Sequence, residues 1–331
     1  AVMEVAIRVR DAVRGVSPRS HNYSYFLFRA HPYRGYALAP GLSLRFAGPR
    51  TITVNSLGFR GPEFSPEKPP GTLRIFCLGE SSTFGLAESD EQVWPRKLEE
   101  RLLQRLPGRR IEVVNAGVPG YSSYESLVYL EQEIVRYGPD AVLVYHTWND
   151  AVKIGSVGAT GSLPETGILR IRHVEKHGWL RDLLNLSAAF GVFEARVLDP
   201  LWARRQEGRW FYERLFDERN VPIDLAAFER NLRTIVRFSG ENGFRPILCT
   251  QTLRRGEGGE PLPWTRFLPL CEAAVRRVAA EPGGALADVA RGVEGTDDHL
   301  VDSTHFSPKG SEAMAEFLAE RLLELGVAGG R

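Results

Sequence analysis

The sequence predicts an α/β fold in which helices cover both faces of a central parallel sheet. Three short apolar runs, at residues 75–78, 111–115 and 141–145, have the composition of strands that are buried on both faces. A helical pattern separates each run from the next. Strands that alternate with helices at this spacing lie parallel in one sheet, because each helix crosses back to the start of the next strand.

The N-terminal part of the chain has a different pattern. Residues 1–35 are predicted to form a helix and then a loop rich in aromatic side chains. Residues 42–46 and 51–55 alternate around a Gly-Pro turn, which predicts a β-hairpin. A linker with proline and lysine then leads into the first core strand. We therefore divide the chain into an N-terminal helix and β extension, residues 1–70, and a main domain, residues 71–331.

Local signals place the helices of the main domain. Pro95 follows Trp94 in the first turn of a helix that is predicted to stop at Gly108. Ser122 and Glu125 form the pattern of a capping box at the start of the next helix. The later predicted elements are a helix at 224–239, a strand at 246–250, a helix through 267–275, a strand at 285–289, and a C-terminal helix capped by Ser307 with Pro308 as its first residue.

Residues 151–222 interrupt the alternation of strands and helices and are predicted to be a helical insertion. The segment concentrates large aromatic side chains. It leaves the sheet directly after the third strand, on the side where such folds carry their functional loops. We therefore expect a lid or a pocket wall, and the alternative is a helical appendage that buries its own aromatic residues.

Composition limits the classes of function. Of the 331 residues, 43% are hydrophobic and 25% are charged, as in an ordinary globular protein. The net charge of +1 gives no reason to expect nucleic acid or an anionic membrane as a partner. No apolar run approaches the roughly 20 residues of a membrane helix. The three cysteines include no C-x-x-C pair, which argues against a disulfide framework or a zinc site.

The compartment and the oligomeric state stay open at this stage. The sequence shows no signal peptide with a basic start and an apolar centre. The chain begins at Ala1, so we expect that a preceding segment has been removed by processing or by design. Unpaired cysteines suit a reducing, cytoplasmic interior, whereas a removed segment would allow export.

Two distant stretches carry residues suited to nucleophilic catalysis. The first apolar strand ends at Gly79, and Ser81 follows in a small polar loop, at the strand end where an open α/β sheet holds its chemistry. The loop is neither a phosphate cradle nor a G-x-S-x-G elbow. Far along the chain, Asp302 precedes His305 by three residues, so the carboxylate can fold back onto one ring nitrogen. The other ring nitrogen is then free to take a proton from a serine.

Four blocks in this order resemble the SGNH, or GDSL-type, hydrolase family. Residues 79–81, Gly-Glu-Ser, stand where that family has Gly-Asp-Ser, and residues 115–120 resemble its second block. Residues 148–150, Trp-Asn-Asp, replace the usual Gly-Asn-Asp, and residues 302–305 form the D-x-x-H block. The resemblance covers roughly residues 72–325. It implies a flavodoxin-like three-layer α/β/α sandwich around a central parallel sheet.

The resemblance also implies roles for individual residues. Ser81 would be the nucleophile, His305 its base and Asp302 the carboxylate that orients the base. The oxyanion would be bound by the backbone N–H groups of Ser81 and Gly120 and by the side-chain amide of Asn149. The alternatives are that Ser81 caps a helix, that Gly120 is a turn glycine with Gly117 in its role, and that Asn149 only holds its loop. Asp150 is interpreted as a structural residue and His146 as a packing residue.

Two further residues are candidates for the substrate pocket. Trp148 stands in place of a glycine beside the predicted oxyanion site, so its side chain would shape the pocket. Arg60, in the β extension, could reach toward the substrate. The alternative interpretation is that Arg60 fixes the extension to the main domain.

Three functions follow from these residues. The first is a serine esterase that hydrolyses O-acyl groups on a small molecule, sugar or lipid through a seryl acyl-enzyme. The second is an acyltransferase in which an alcohol displaces water from the same intermediate. The third is a binding protein that keeps the fold without turnover, which a complete Ser, His and Asp set argues against. No cofactor and no metal is expected.

Overall fold

The computed structural model of the chain describes residues 2–48, 50–151, 183–193, 196–197, 224–254 and 268–327. Its centre is a five-stranded parallel sheet formed by β5 Thr72–Gly79, β6 Arg110–Gly117, β7 Ala141–Tyr145, β8 Arg245–Cys249 and β9 Leu286–Ala287. Across the sheet these strands lie in the order β6-β5-β7-β8-β9. Every residue of β5 and β7 is buried, as expected of strands that are covered on both faces.

The strand order creates a topological switch point beside β5. The chain passes from β5 outward to β6 on one side and then returns to β7 on the other. The loops that follow β5, β6 and β7 therefore leave the same edge of the sheet and diverge there, which is where open α/β sheets bind their ligands. These are the loops that carry Ser81, Gly120 and Asn149.

Helices cover the two faces of the sheet in separate apolar clusters. Helices α5, α7 and α8 (residues 123–132, 226–241 and 268–279) pack on one face, and helices α4 and α10 (residues 94–105 and 308–324) pack on the other. This arrangement confirms the predicted three-layer α/β/α architecture. The described helices are α1 Val2–Val13, α2 Tyr23–Phe26, α3 Ser81–Phe84, α4 Trp94–Arg105, α5 Ser123–Gln132, α6 Ala188–Phe193, α7 Ala226–Glu241, α8 Leu268–Ala279, α9 Val289–Gly292 and α10 Pro308–Glu324.

The predicted helix starts agree with the structure to within about two residues, and the ends differ by a few residues. The backbone N–H of Ser122 donates to the Glu125 carboxylate at 2.8 Å, which completes the capping box of α5. Ser307 caps α10 by accepting from the N–H of Gly310 at 3.1 Å. After α5 ends at Gln132, residues Ile134–Tyr137 form a separate 3₁₀ turn. The last strand, expected over residues 285–289, has only two residues.

The N-terminal part contains one hairpin that the sequence predicts and one that it does not. Strands β3 Ser43–Arg45 and β4 Thr51–Thr53 pair antiparallel, as expected. Strands β1 Phe28–His31 and β2 Gly35–Leu38 also pair antiparallel, although β1 lies in the segment up to residue 35 that was expected to end in a loop. The sequence gives no signal for this pairing, because all four residues of β2 are buried, so apolar and polar side chains do not alternate along it. Both hairpins share one apolar cluster with a face of the main sheet.

Most of the predicted insertion lies outside the described residues. Its described part includes α6, whose first turn is held by Glu4 of α1. The Glu4 carboxylate accepts from the N–H of Ala189 at 2.8 Å and from the hydroxyl of Ser187 at 2.7 Å. Of the helices in the described ranges, none combines the length and the apolar character needed to span a bilayer.

Candidate active site

Ser81 lies at the start of the short helix α3, immediately after the central strand β5. Its side chain is partly exposed, whereas Ser82, Thr83 and Phe84 are buried. Glu80 precedes the helix and has an extended backbone, with a φ of −104° and a ψ of −151°. Ser81 is thus the first residue of α3 and faces the edge of the sheet where the loops diverge.

A chain of hydrogen bonds joins three of the predicted site residues. His305 Nε2 lies 2.8 Å from Ser81 Oγ, and His305 Nδ1 lies 2.7 Å from Asp302 Oδ2. The second carboxylate oxygen of Asp302 accepts from the backbone N–H groups of Thr304 and His305, both at 2.9 Å. The carboxylate thus holds both the ring and the backbone of the histidine that follows it.

The charge state of Asp302 decides which ring nitrogen carries the proton. Partial burial alone would raise the pKa of Asp302, but the hydrogen bond from His305 and those from two backbone N–H groups lower this pKa to about 2. At neutral pH the carboxylate can therefore only accept a hydrogen bond. Nδ1 of His305 must then donate to Asp302, which leaves Nε2 as the acceptor for the hydroxyl of Ser81.

Gly120 and Gly117 differ in the way their N–H groups are used. The N–H of Gly117 donates to the side chain of Asn115 at 3.0 Å and is therefore occupied. In the described part of the chain, no hydrogen bond uses the N–H of Gly120 or that of Ser81. Gly120 has a φ of +85°, a conformation that favours glycine. Of the two glycines, Gly120 thus retains a donor for a ligand.

Asn149 lies beside this loop, and Asp150 is used internally. The side-chain nitrogen of Asn149 donates to the carbonyl of Tyr121 at 2.9 Å, and an amide nitrogen carries a second hydrogen. Asp150 accepts from both the N–H and the hydroxyl of Ser123, at 2.9 Å and 2.6 Å. Asp150 therefore fixes the start of α5, as expected for a structural residue.

A comparison with family sequence models assigns most of the chain to one family. The family described as GDSL-like Lipase/Acylhydrolase matches residues 77–313, which is more than two thirds of the 331 residues. The chain belongs to this family. The protein is therefore a hydrolase of ester bonds, and all four blocks identified in the sequence fall within the matched region.

Several solved structures resemble this GDSL-family hydrolase at low identity. The lipase/acylhydrolase from Enterococcus faecalis is 19% identical, with a TM-score of 0.46, over 76% of this chain and 96% of that one. An acetylxylan esterase from Geobacillus stearothermophilus is 16% identical, with a TM-score of 0.45, over 78% and 95%. A GDSL-like lipase from Bacteroides thetaiotaomicron is 11% identical, with a TM-score of 0.44, over 76% and 88%. No curated protein matches the chain.

Glu80, which replaces the usual aspartate of the family, connects the loop of Asn149 with that of Gln251. One of its oxygens accepts from the N–H of Asn149 at 3.0 Å, and the other accepts from the side chain of Gln251 at 2.8 Å. The oxygen of that Gln251 amide accepts from the N–H of Trp148 at 2.7 Å. The longer glutamate side chain is therefore part of a network that holds residues 148–149 against the start of α3.

The structure corrects the expectation that Arg60 reaches the substrate. The Arg60 side chain has no exposed surface, and its guanidinium donates to the carbonyls of Phe84, Gly85 and Glu88. Its Nε also lies 3.2 Å from the Asp90 carboxylate. A buried guanidinium that uses four of its five N–H donors within the protein is not placed to bind a substrate. The other interpretation, that Arg60 fixes the extension to the main domain, agrees with these contacts.

Two other predicted roles can be compared with the structure. The partly buried Trp148 packs against the apolar cluster that contains α5, α7 and α8, and its role in the pocket stays a prediction. His146 is buried, and its Nε2 lies 2.8 Å from the hydroxyl of Ser126. In the ranges that the structure describes, no group of three or more His, Cys, Asp or Glu residues could hold a metal ion.

Sequence reasoning missed three residues that support this site. Ser82 is buried and donates to the carbonyl of Thr304 at 2.9 Å, which ties α3 to the loop of His305. Gln251 contributes to the Glu80 network. Tyr36 contacts the loop of Gly120. Neighbouring residues give no signal for these contacts, because each partner is far away in the sequence.

We expect that Gly117→Ala lowers both stability and activity. A Cβ at this position would lie 2.4 Å from the backbone nitrogen of Phe84, so α3 would have to move. Overpacking of this kind costs about 1–3 kcal/mol in the free energy of unfolding, and the shift would displace Ser81. Urea unfolding and ester turnover would measure both effects. Gly240→Ala is the matched control, because nothing lies within 4 Å of its Cβ position. Equal effects of the two substitutions would contradict the prediction.

We also expect that the protein loses stability as the pH rises from about 5.5 to about 8. Burial raises the pKa values of both Glu80 and Glu88 from 4.5 to about 8. In this window the folded protein retains protons that the unfolded chain releases, so the free energy of unfolding falls with rising pH. Each group should contribute on the order of 3 kcal/mol.

Glu88→Gln removes one of these two titrating groups and should reduce the loss by about half. Urea unfolding at both pH values would measure the loss, with Glu91→Gln, at a side chain that is 75% exposed, as the matched control. If the free energy of unfolding of Glu88→Gln falls between the two pH values as much as that of the wild type, Glu88 does not hold a proton in the folded state.

Proposed function

We propose that this protein hydrolyses carboxylic esters through a seryl acyl-enzyme, with Ser81 as nucleophile, His305 as general base and Asp302 as the orienting carboxylate. The observation that carries the proposal is the continuous chain of hydrogen bonds from Asp302 through the His305 ring to the Ser81 hydroxyl, at 2.7 Å and 2.8 Å. A serine hydroxyl needs such a base to react at neutral pH.

In the proposed reaction, Ser81 Oγ attacks the ester carbonyl carbon while its proton passes to Nε2 of His305. Negative charge develops on the carbonyl oxygen, and the N–H groups of Ser81 and Gly120 and the amide of Asn149 donate to it. The alcohol then leaves with the proton from Nε2, and the acyl group stays on Ser81. Water gives a proton to His305 and attacks the acyl group, which releases the acid and restores Ser81.

The substrate in this proposal is an O-acyl group on a small molecule, sugar or lipid. The test is turnover of p-nitrophenyl esters with acyl chains from acetyl to dodecanoyl, with and without an added alcohol acceptor. Free acid as the main product in both cases supports an esterase. Transfer to the alcohol at the expense of acid would indicate an acyltransferase. No turnover, together with no labelling of Ser81 by an organophosphorus reagent, would overturn both and leave a binding protein.

We further propose that the main domain, residues 71–331, contains an insertion at residues 151–222 that shapes the acyl or alcohol pocket. This insertion would take no part in the chemistry. It leaves the sheet directly after Asn149 and Asp150. Replacing residues 155–220 by a short linker should shift the preference between short and bulky aryl esters, while Ser81 stays reactive to a small organophosphorus reagent. An unchanged ester preference in a folded variant would contradict this role.

A further inference from the structure

We propose that Tyr36, in the N-terminal hairpin, is a positioning residue of the oxyanion hole. Its hydroxyl donates a hydrogen bond to the backbone carbonyl of Pro119 at 2.9 Å. This carbonyl and the N–H of Gly120 belong to the same planar peptide group. The hydrogen bond to the carbonyl therefore sets the direction in which the Gly120 N–H points. The inference rests on the proposed function, in which that N–H binds the oxyanion.

Contacts from the same hairpin hold this loop at two points. Tyr36 is only 4% exposed, and its backbone carbonyl accepts a hydrogen bond from the hydroxyl of Tyr121. The Tyr121 hydroxyl in turn accepts from the guanidinium of Arg34 at 3.2 Å. The rings of Tyr36 and Tyr121 pack with their centroids 5.3 Å apart. The hairpin is thus tied to the residue before Gly120 and to the residue after it.

The peptide group that carries the Gly120 N–H needs contacts from elsewhere in the protein to fix its orientation. Glycine at a φ of +85° has no side chain that restricts the rotation of its peptide group, so contacts from elsewhere must fix the donor. A hydrogen bond to a peptide carbonyl also polarises the group and makes its N–H a stronger donor. Burial, followed by the negative charge of Glu125, raises the pKa of Tyr36 well above its ordinary value. The phenol therefore stays protonated and keeps donating at any pH used for ester assays.

The experiment compares Tyr36→Phe with Tyr137→Phe in the chain of residues 1–331. Loss of an entire oxyanion donor costs about 10²–10³ in kcat, and loss of its orientation should cost part of this, on the order of 10-fold. KM should change by less than about twofold, because the bond strengthens mainly in the transition state. The inhibition constant of a trifluoromethyl ketone, which forms a tetrahedral oxyanion on the serine, should rise in parallel with the loss of kcat.

Tyr137→Phe is the matched control, because it also removes one phenolic hydroxyl from the aromatic layer on this face of the sheet. The Tyr137 ring packs against Phe59 and Phe64, away from the loop of Gly120. We expect wild-type kcat and wild-type inhibition by the ketone for this variant. If it loses as much kcat as Tyr36→Phe, the effect is general packing and the proposal is wrong.

The possible outcomes separate this inference from the proposed function. Wild-type kcat in a folded Tyr36→Phe protein would overturn the role of Tyr36 and leave the esterase intact. Absence of ester turnover in the wild type would overturn the proposed function, and this inference with it. If Tyr36→Phe does not fold, Tyr121→Phe is the second test, since it frees the Tyr36 backbone. It should lower kcat in the same direction by a smaller factor, and an unchanged kcat would overturn the inference.

Discussion

Ser81→Ala is expected to lower kcat by about 10⁴–10⁶ and to leave the fold intact, as loss of a triad nucleophile does. The Ser81 side chain is partly exposed, and the hydrogen bond found for it is the one to His305 Nε2 at 2.8 Å. Its removal therefore leaves no buried polar group without a partner. Steady-state turnover of an aryl ester, with thermal unfolding measured on the same preparation, would separate the chemical effect from any loss of folded protein.

Ser82→Ala is the matched control for this experiment. Ser82 is the next residue of α3, but its hydroxyl is buried and donates to the carbonyl of Thr304 at 2.9 Å. Losing this hydrogen bond should cost about 1 kcal/mol of stability, and we expect turnover within a small factor of the wild type. If Ser82→Ala were inactive and Ser81→Ala active, the nucleophile would be assigned to the wrong serine.

Asn149→Ala should lower kcat by about 10²–10³ with little change in KM. The reason is that one hydrogen of the Asn149 amide is held by the Tyr121 carbonyl at 2.9 Å, and the other is available for charge that develops in the transition state. Initial rates over a range of ester concentrations would give both constants. A raised KM with an unchanged kcat would instead assign Asn149 to substrate binding.

The control for Asn149 is a second buried asparagine in the same region. Asn231 is 6% exposed, and its side chain donates to the hydroxyl of Ser123 at 3.0 Å. That serine also binds the Asp150 carboxylate. Asn231→Ala should lower stability but leave kcat within a small factor. Comparable losses of kcat in the two variants would mean that loop disorder, and not a missing oxyanion donor, explains the effect.

The parts of the site that the sequence predicted depend on local patterns. The order of strands and helices fixes a parallel sheet, and the loops at its carboxyl edge follow from that order. The three-residue spacing of Asp302 and His305 allows their contact within one loop. The contact between His305 in this loop and Ser81, which is 224 residues away, could be predicted only with the help of the family resemblance.

The supporting contacts could not be predicted, because they join residues that share no local pattern. Glu80 and Gln251 are separated by 171 residues, and neither position shows a periodicity that points to the other. The sequence allows two roles for Arg60, because an arginine in a loop can donate hydrogen bonds either to a ligand or to backbone carbonyls. The guanidinium points to three carbonyls near the end of α3, and this direction follows only from the packing of the extension.

The contacts of Arg60 have a consequence for anyone who shortens this protein. Residue 70 looks like a convenient place to begin an expression clone, because a linker ends there and the first core strand follows. A chain begun at that point would lack the guanidinium that satisfies the carbonyls of Phe84, Gly85 and Glu88. It would also expose the part of the apolar cluster that the hairpins cover. Truncation at this point should therefore give insoluble protein, and engineering of the main domain should keep the whole N-terminal extension.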